Sequence, residues 1–292
     1  MARASCLPSE TVQALRALTR ARRDLIVSRT AARQRLHDEL VVLFPEFVRF
    51  LPSLPGRPDL GEPAVLHLLS TYSSARALAQ ISLDELSRAL GELSAGRWGA
   101  DQAQALQELA RRSTASSRAV AARSVVARTL AQQLLELAVH VTELEAAIAA
   151  LLHDDAEGQR LRGIPGIGPQ GAATIRAELG DVRHFARVDE VVAYAGLDPR
   201  TRQSGAFIGQ KHLSKRGPGA LRHALYLAAV VAARCRPEWR TRYQRLLDRG
   251  RAKKEAYTIL ARALLRVIYH LLRTGEAYNP ALLNCQPAPA DC

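Results

Sequence analysis

The sequence predicts a mainly α-helical protein: a long helical coiled-coil hairpin with a small helical insertion, then a compact helical domain with one short irregular or β loop. Three observations carry this. Ser9 to Leu43 contains neither proline nor glycine. A second long segment repeats its apolar residues in steps of four and three. The last third is divided into apolar stretches bounded by Gly and Pro at positions where helices stop and start.

In the first helix, Leu15, Leu18, Leu25, Ala32, Leu36, Leu40 and Leu43 form one stripe over roughly 50 Å, at 1.5 Å rise per residue. It ends before Pro45, because a residue preceding proline is pushed out of the helical region. Pro52 to Pro63 reads as a linker, followed by short helices near Pro63–Thr71, Ser82–Leu90 and Ala100–Arg112. Ser82 with Glu85 three residues later is a capping box that starts the middle one. Residues 45–117 are thus expected to form an insertion at the tip of the hairpin. The second long helix spans about Ser116 to Leu152, with a heptad seam at Leu130, Leu134, Leu137, Val141, Leu144, Ile148 and Leu151. The seam suits pairing with the first helix of the same chain or with a second copy, which would make a homo-oligomer through residues 130–151; both readings stay open.

The coiled-coil region is expected over 1–157, a C-terminal domain over 158–280 and a frayed tail over 281–292. Within the domain, helices are expected at Pro169–Leu179, Val188–Ala195, Pro218–Arg234, Pro237–Arg249 and Ala252–Thr274, with Gly250 and Gly275 as C-terminal caps. A short strand pair fits only Gly205 to Leu213.

Formal net charge is +13, nearly all from arginine, the only lysines being Lys211, Lys215, Lys253 and Lys254. From Asp198 to Arg273 there are eighteen Lys and Arg against four acids, and such concentration attracts polyanions, nucleic acid first among them. Arg240, Arg242, Arg245, Arg249, Arg251, Lys253 and Lys254 are the candidate phosphate-tracking face. The cysteines are widely spaced, without zinc-ligand or disulfide patterning. No signal segment or run long enough to span a membrane is apparent. A protein of a reducing cytoplasm is the expectation.

The chemistry concentrates between Gly163 and Gly217. Ile164-Pro-Gly166-Ile-Gly168-Pro-Gln-Gly-Ala172 resembles a helix-hairpin-helix element of DNA-binding proteins, in which free amides at a helix N-terminus meet a backbone phosphate. A tight turn between packed helices is the alternative. Ser204 precedes Gly205, with Arg200 and Arg202 before it and Lys211, Lys215 and Arg216 after it. These cations suit a phosphodiester undergoing transfer, although a serine followed by glycine is by itself commonly only a turn.

The ordered set Gly163–Pro169, Phe185, Ala193-Tyr-Ala-Gly196-Leu-Asp-Pro199, Gln203-Ser204-Gly205, Ser214-Lys215-Arg216-Gly217 and Leu221-Arg222 closely resembles the C-terminal domain of a transposase family. These insertion-sequence transposases join an acidic RuvC-like nuclease domain to a serine-bearing domain, and are also called bridge-RNA-guided recombinases. Leu15 to Leu25, Phe44-Pro45-Glu46 and Gly96-Arg97-Trp98-Gly99 resemble the coiled-coil region that precedes that domain. The resemblance implies DNA strand cleavage and rejoining, with Ser204 as the covalent nucleophile. It also implies DNA binding through Gly166, Gly168, Gly205, Arg200, Arg202, Lys211, Lys215, Arg216 and Arg222, element ends and target as substrates, and a guide RNA as possible partner. Mg²⁺ belongs to the family's acidic domain. No residues here match its ligands, so the expectation is a chain that binds no cofactor itself, keeps the DNA-binding and serine half, and is inactive alone. The rival reading is a non-catalytic DNA-binding remnant or regulator of transposition.

Overall fold

The computed structural model describes residues 8–204 and 207–280, with the backbone alone for 200–204 and 207–212. The protein is mainly α-helical. In chain order the helices are α1 (Glu10–Leu43), α2 (Pro45–Phe50), α3 (Pro63–Thr71), α4 (Ala75–Gln80), α5 (Leu83–Leu93), α6 (Ala100–Arg111), α7 (Val120–His153), α8 (Ala156–Arg162), α9 (Pro169–Leu179) and α10 (Val188–Tyr194). A strand pair follows, β1 (Pro199–Ser204) and β2 (Phe207–Leu213), and then α11 (Gly219–Cys235), α12 (Pro237–Asp248) and α13 (Lys253–Thr274). Two compact units result: residues 22–143, and residues 1–21 with 144–292.

The first unit buries Leu36, Leu40, Phe44, Phe47, Val65, Leu69, Leu78, Leu86, Trp98, Leu106 and Leu134 in one cluster. A fully buried Leu or Phe contributes roughly 1.5–3 kcal/mol relative to an exposed one, so this cluster sustains an insertion whose helices are individually too short to stand alone. Trp98 closes it, its indole Nε1–H donating to the Pro55 carbonyl at 3.1 Å. Ser82 accepts from the Glu85 amide at 3.2 Å and starts α5 as the capping pattern predicts. Glu46, in the first turn of α2, holds the far end: Ser113 Oγ donates to it at 2.6 Å, and the Thr114 amide and hydroxyl donate at 2.9 and 3.0 Å. Burial alone would raise the Glu46 carboxyl, but these donors overcome it and lower it to about 2.

Those contacts also explain a departure from the sequence expectation. Residues 113–117 stay out of the helix, the Ser116 amide bonding to the Val42 carbonyl at 3.1 Å, so α7 begins at Val120 rather than Ser116. Helices α2, α4 and α8 were not expected; at six or seven residues they are too short to show a helical period.

The second unit is built on α9, α11 and α13, whose inner faces supply Ile175, Leu221, Leu225, Leu260, Leu264 and Ile268 to a single core that also takes Leu15, Ile148 and Leu152. The start of α1 is fastened to the end of α9. Arg16 Nε–H donates to the Ala177 carbonyl at 3.0 Å, and Arg20 grips Glu178 with two 3.0 Å bonds. Tyr194 Oη–H donates to the Glu178 carbonyl at 2.9 Å, which ties α10 to the same place.

The heptad seam is largely covered within this chain. Leu130, Leu134, Leu137, Val141 and Ile148 are buried, and Leu144 and Leu151 are half-buried. Of the two pairings the sequence leaves open, the intramolecular one accounts for this burial. Among the described residues no helix is long and apolar enough to cross a membrane.

Candidate nucleic-acid interface

The turn between α8 and α9 uses its two central glycines differently. Gly166 has φ +86° and lies against α11, where a Cβ would come within 2.2 Å of the Ala228 carbonyl oxygen and 2.9 Å of the Ala232 nitrogen. Only a residue without a side chain fits that approach. Gly166 therefore seats the turn on α11, and its role here is close packing rather than an open face. Gly168 is the N-cap of α9, exposed, with nothing within 4 Å of its Cβ position. Pro169 occupies the first turn and no side chain caps it, so the amides of Gln170 and Gly171 have no helical acceptor. This is the outward-facing half of the motif.

The strands form an antiparallel arm. Pro199 pairs with Leu213 at its base, Arg200 with His212, Thr201 with Lys211, Gln203 with Ile208, and Ser204 with Phe207. The register shifts once, so that Arg202 faces the two residues Gly209 and Gln210, a bulge of the kind that bends a ribbon. The pair begins at Pro199 and not at Gly205 as the sequence suggests, because the polar, arginine-rich β1 lacks the apolar alternation that marks a strand. Ser204 is the last residue of β1, about 17 Å along the strand from Pro199 at 3.4 Å per residue. Gly205 lies outside the described residues.

The base of the arm is held from both sides. Ser214 Oγ–H donates to the Asp198 carboxylate, the Ser214 amide to the Asp198 carbonyl at 3.0 Å, and the Lys215 amide to the Gly196 carbonyl at 3.2 Å. Gly217 packs onto the end of α10 so closely that a Cβ would overlap the Tyr194 carbonyl. Arg222, on the first turn of α11, donates Nη1–H to the carbonyls of Gly217 at 2.6 Å and Ala195 at 3.3 Å. The Gly196–Pro199 and Ser214–Gly217 motifs are therefore the two halves of one clamp, and Arg222 is its bolt. Lys215 and Arg216 are exposed beside it.

Asp155 and Glu157, at the exit of α7, meet a buried arginine. Arg176 is buried and is met by Asp155 at 3.0 Å and Glu157 at 2.9 Å, while its Nη1–H donates to the Gly180 carbonyl at 2.9 Å. Asp155 also caps α8, accepting from the Gly158 amide at 3.2 Å. Both carboxylates are thus engaged with a cation of their own chain. Among the described residues no group of three or more His, Cys, Asp or Glu side chains gathers at one place.

The tyrosines pack on one another. Tyr243 of α12 stacks on Tyr257 of α13 at 4.5 Å, and Tyr226 of α11 meets Tyr257 edge-on at 5.9 Å. The hydrogen bond to Tyr257 comes first in raising the Tyr243 hydroxyl to about 12, with burial adding to it.

Residues 158–244, from α8 through the arm to α12, match the sequence profile of the Transposase IS116/IS110/IS902 family. The segment holding the clamp, the arm and the glycine-opened helix is a transposase domain of that type. Over 259 residues the chain is 31% identical to the uncharacterized 43.6 kDa protein of insertion element IS110 from Streptomyces coelicolor, an alignment covering 88% of this chain and 62% of that protein. It is 30% identical to the uncharacterized 42 kDa protein of insertion element IS900 from Mycobacterium paratuberculosis, over 91% of this chain and 65% of that protein. A shorter match, 30% over 145 residues, is to the pilin gene-inverting protein of Moraxella bovis, covering 48% of this chain and 45% of that one. By these matches the chain is similar to the IS116/IS110/IS902 transposases, with the family profile itself confined to residues 158–244. It spans less than two thirds of the length of the first two relatives.

Proposed function

We propose that this chain handles DNA as the serine-bearing part of an insertion-sequence transposase, with Ser204 as the nucleophile in strand cleavage and rejoining. The observation that carries the reading is the clamped arm: within the segment matching the transposase family, Ser204 ends a strand whose base is fastened by Asp198, Ser214, Gly217 and Arg222. A nucleophile must be held in place relative to the bound phosphate, and a clamp at the base of its strand serves that end. Ser204 Oγ attacks the scissile phosphorus, a serine–phosphate bond forms, the bond to one strand end breaks, and that end leaves as a hydroxyl with the proton the serine loses. Attack by a hydroxyl of the second strand reverses the sequence and releases the serine.

In this reading DNA backbone is gathered by the first-turn amides of α9 at Gly168, by Arg200, Arg202 and Lys211 along the arm, and by Lys215 and Arg216 at its base. Gly166 and Arg222 act on these groups by packing and clamping. Mg²⁺ and a guide RNA belong to the proposal only through the family resemblance, and no step is routed through the metal. A homo-oligomer would use a surface other than the covered seam. The compartment proposed is the prokaryotic cytoplasm, at the nucleoid.

The second reading is a non-catalytic DNA binder. It is favoured by the engagement of Asp155 and Glu157 with Arg176, which leaves those carboxylates unavailable for metal-assisted chemistry. The test is a denaturing gel of the purified chain with labelled element-end DNA and Mg²⁺. A covalent adduct that Ser204→Ala abolishes supports strand transfer. DNA binding with no adduct in either protein supports the second reading.

A further inference from the structure

Three guanidinium groups converge between α12 and α13 with too little negative charge to balance them. Arg262 and Arg266 stand four residues apart, on one face of α13, and Arg242 of α12 lies close enough to feel both. All three are half-buried. One carboxylate faces them, Asp189 of α10, 3.1 Å from Arg266 Nη2 with its side chain 77% exposed. Arg242 and Arg262 make no hydrogen bond among the described residues, and Arg266 Nε–H is buried without an acceptor. Burial and then mutual repulsion push Arg242 and Arg262 below the ordinary guanidinium value, with Asp189 partly opposing this at Arg262. Guanidinium remains charged at any ordinary pH. A domain that buries like charges together, with an N–H left unsatisfied, tolerates a cost that a bound anion would remove.

We propose that Arg242, Arg262 and Arg266 form a phosphodiester-binding notch between α12 and α13, a second backbone contact separate from the α9 N-terminus and the Ser204 arm. Planar N–H forks suit phosphate oxygens, and the exposed Arg245 of α12, Arg249 at its C-cap and Lys253 of α13 extend the positive surface beyond the notch. The contact carries no base readout, so it fixes register and not sequence. The inference rests on the proposed action on nucleic acid, and it would deepen that reading by placing the strand at two points.

The test uses the full chain, fluorescence anisotropy with a short labelled DNA duplex and a single-stranded RNA of matching sequence, and a salt series. Arg262→Gln with Arg266→Gln is expected to weaken binding about tenfold or more at moderate salt and to reduce the slope of log affinity against log salt by about 1 to 2. Arg88→Gln, exposed on α5 and outside every proposed contact, serves as control. In the absence of nucleic acid, Arg262→Gln alone should leave the melting temperature unchanged or raise it, because it relieves repulsion. Loss confined to duplex assigns the notch to DNA, and loss confined to RNA assigns it to RNA; either supports a phosphodiester site. Unchanged affinity and slope in the double variant, with the wild type binding normally, overturns the notch while leaving the proposed function intact. A wild type that binds neither probe overturns both. Lower melting temperature for Arg262→Gln without any change in binding shows a purely structural role.

Discussion

Gly217 meets Tyr194 at the end of α10 with no room for a side chain: a Cβ there would stand 1.7 Å from the Tyr194 carbonyl oxygen. The contact joins the segment leaving the β arm to the helix that leads into it. Gly217→Ala must push the two backbones apart, and neither is a flexible side-chain end that could yield. The expected loss is about 2 kcal/mol or more in denaturant unfolding.

The glycines of the α8–α9 turn separate packing from access. Gly166→Ala introduces a contact 2.2 Å from Ala228 O as well as a strained positive φ, and should destabilise by about 1–3 kcal/mol. Gly168→Ala meets nothing and should leave stability within about 0.5 kcal/mol. A thermal melt of the two variants distinguishes them; equal losses would contradict the seating of Gly166 on α11.

Asp155→Ala leaves Arg176 buried beside one remaining partner, and removes the α8 cap as well. Breaking a buried pair from one side costs about 3–5 kcal/mol. The exposed Arg251–Glu255 pair gives the contrast, since Glu255→Ala there should cost less than about 0.5 kcal/mol. Urea midpoints at neutral pH measure both.

The Glu46 carboxyl, lowered to about 2 by Ser113 and Thr114, makes stability fall in acid. Its folded value lies below its unfolded one, so its contribution is complete above about 4.5 and is lost as pH drops from there toward 2. Glu46→Gln should remove about 1–2 kcal/mol at pH 7, and the variant should lose less stability than the wild type between pH 5 and 2, a range of about three units around those values.

Long elements were plain in the sequence because their information is periodic. The stripe from Leu15 to Leu43 and the heptads from Leu130 to Leu151 gave α1 and most of α7, and Gly250 and Gly275 marked helix ends that the structure closes with positive φ. The arm was half legible. Its motifs stood out, but Arg200 and Arg202 hid a strand, because its pairing comes from the backbone register with β2 and not from an apolar face. The clamp escaped for another reason: Asp198 and Ser214 are sixteen residues apart, and a single sequence holds no sign that they meet. Asp155 and Glu157 likewise carry no sequence sign of their partner, Arg176, some twenty residues on.

The clamp at the base of β1 and β2 makes the reach of Ser204 a separate variable from the fold. Each cross-strand residue pair added to or removed from the strands moves the serine by about 3.4 Å while the closure at Asp198 and Ser214 stays as it is. On the proposed reading, reach along the DNA is then set by the length of the ribbon, independently of the helical core beneath it.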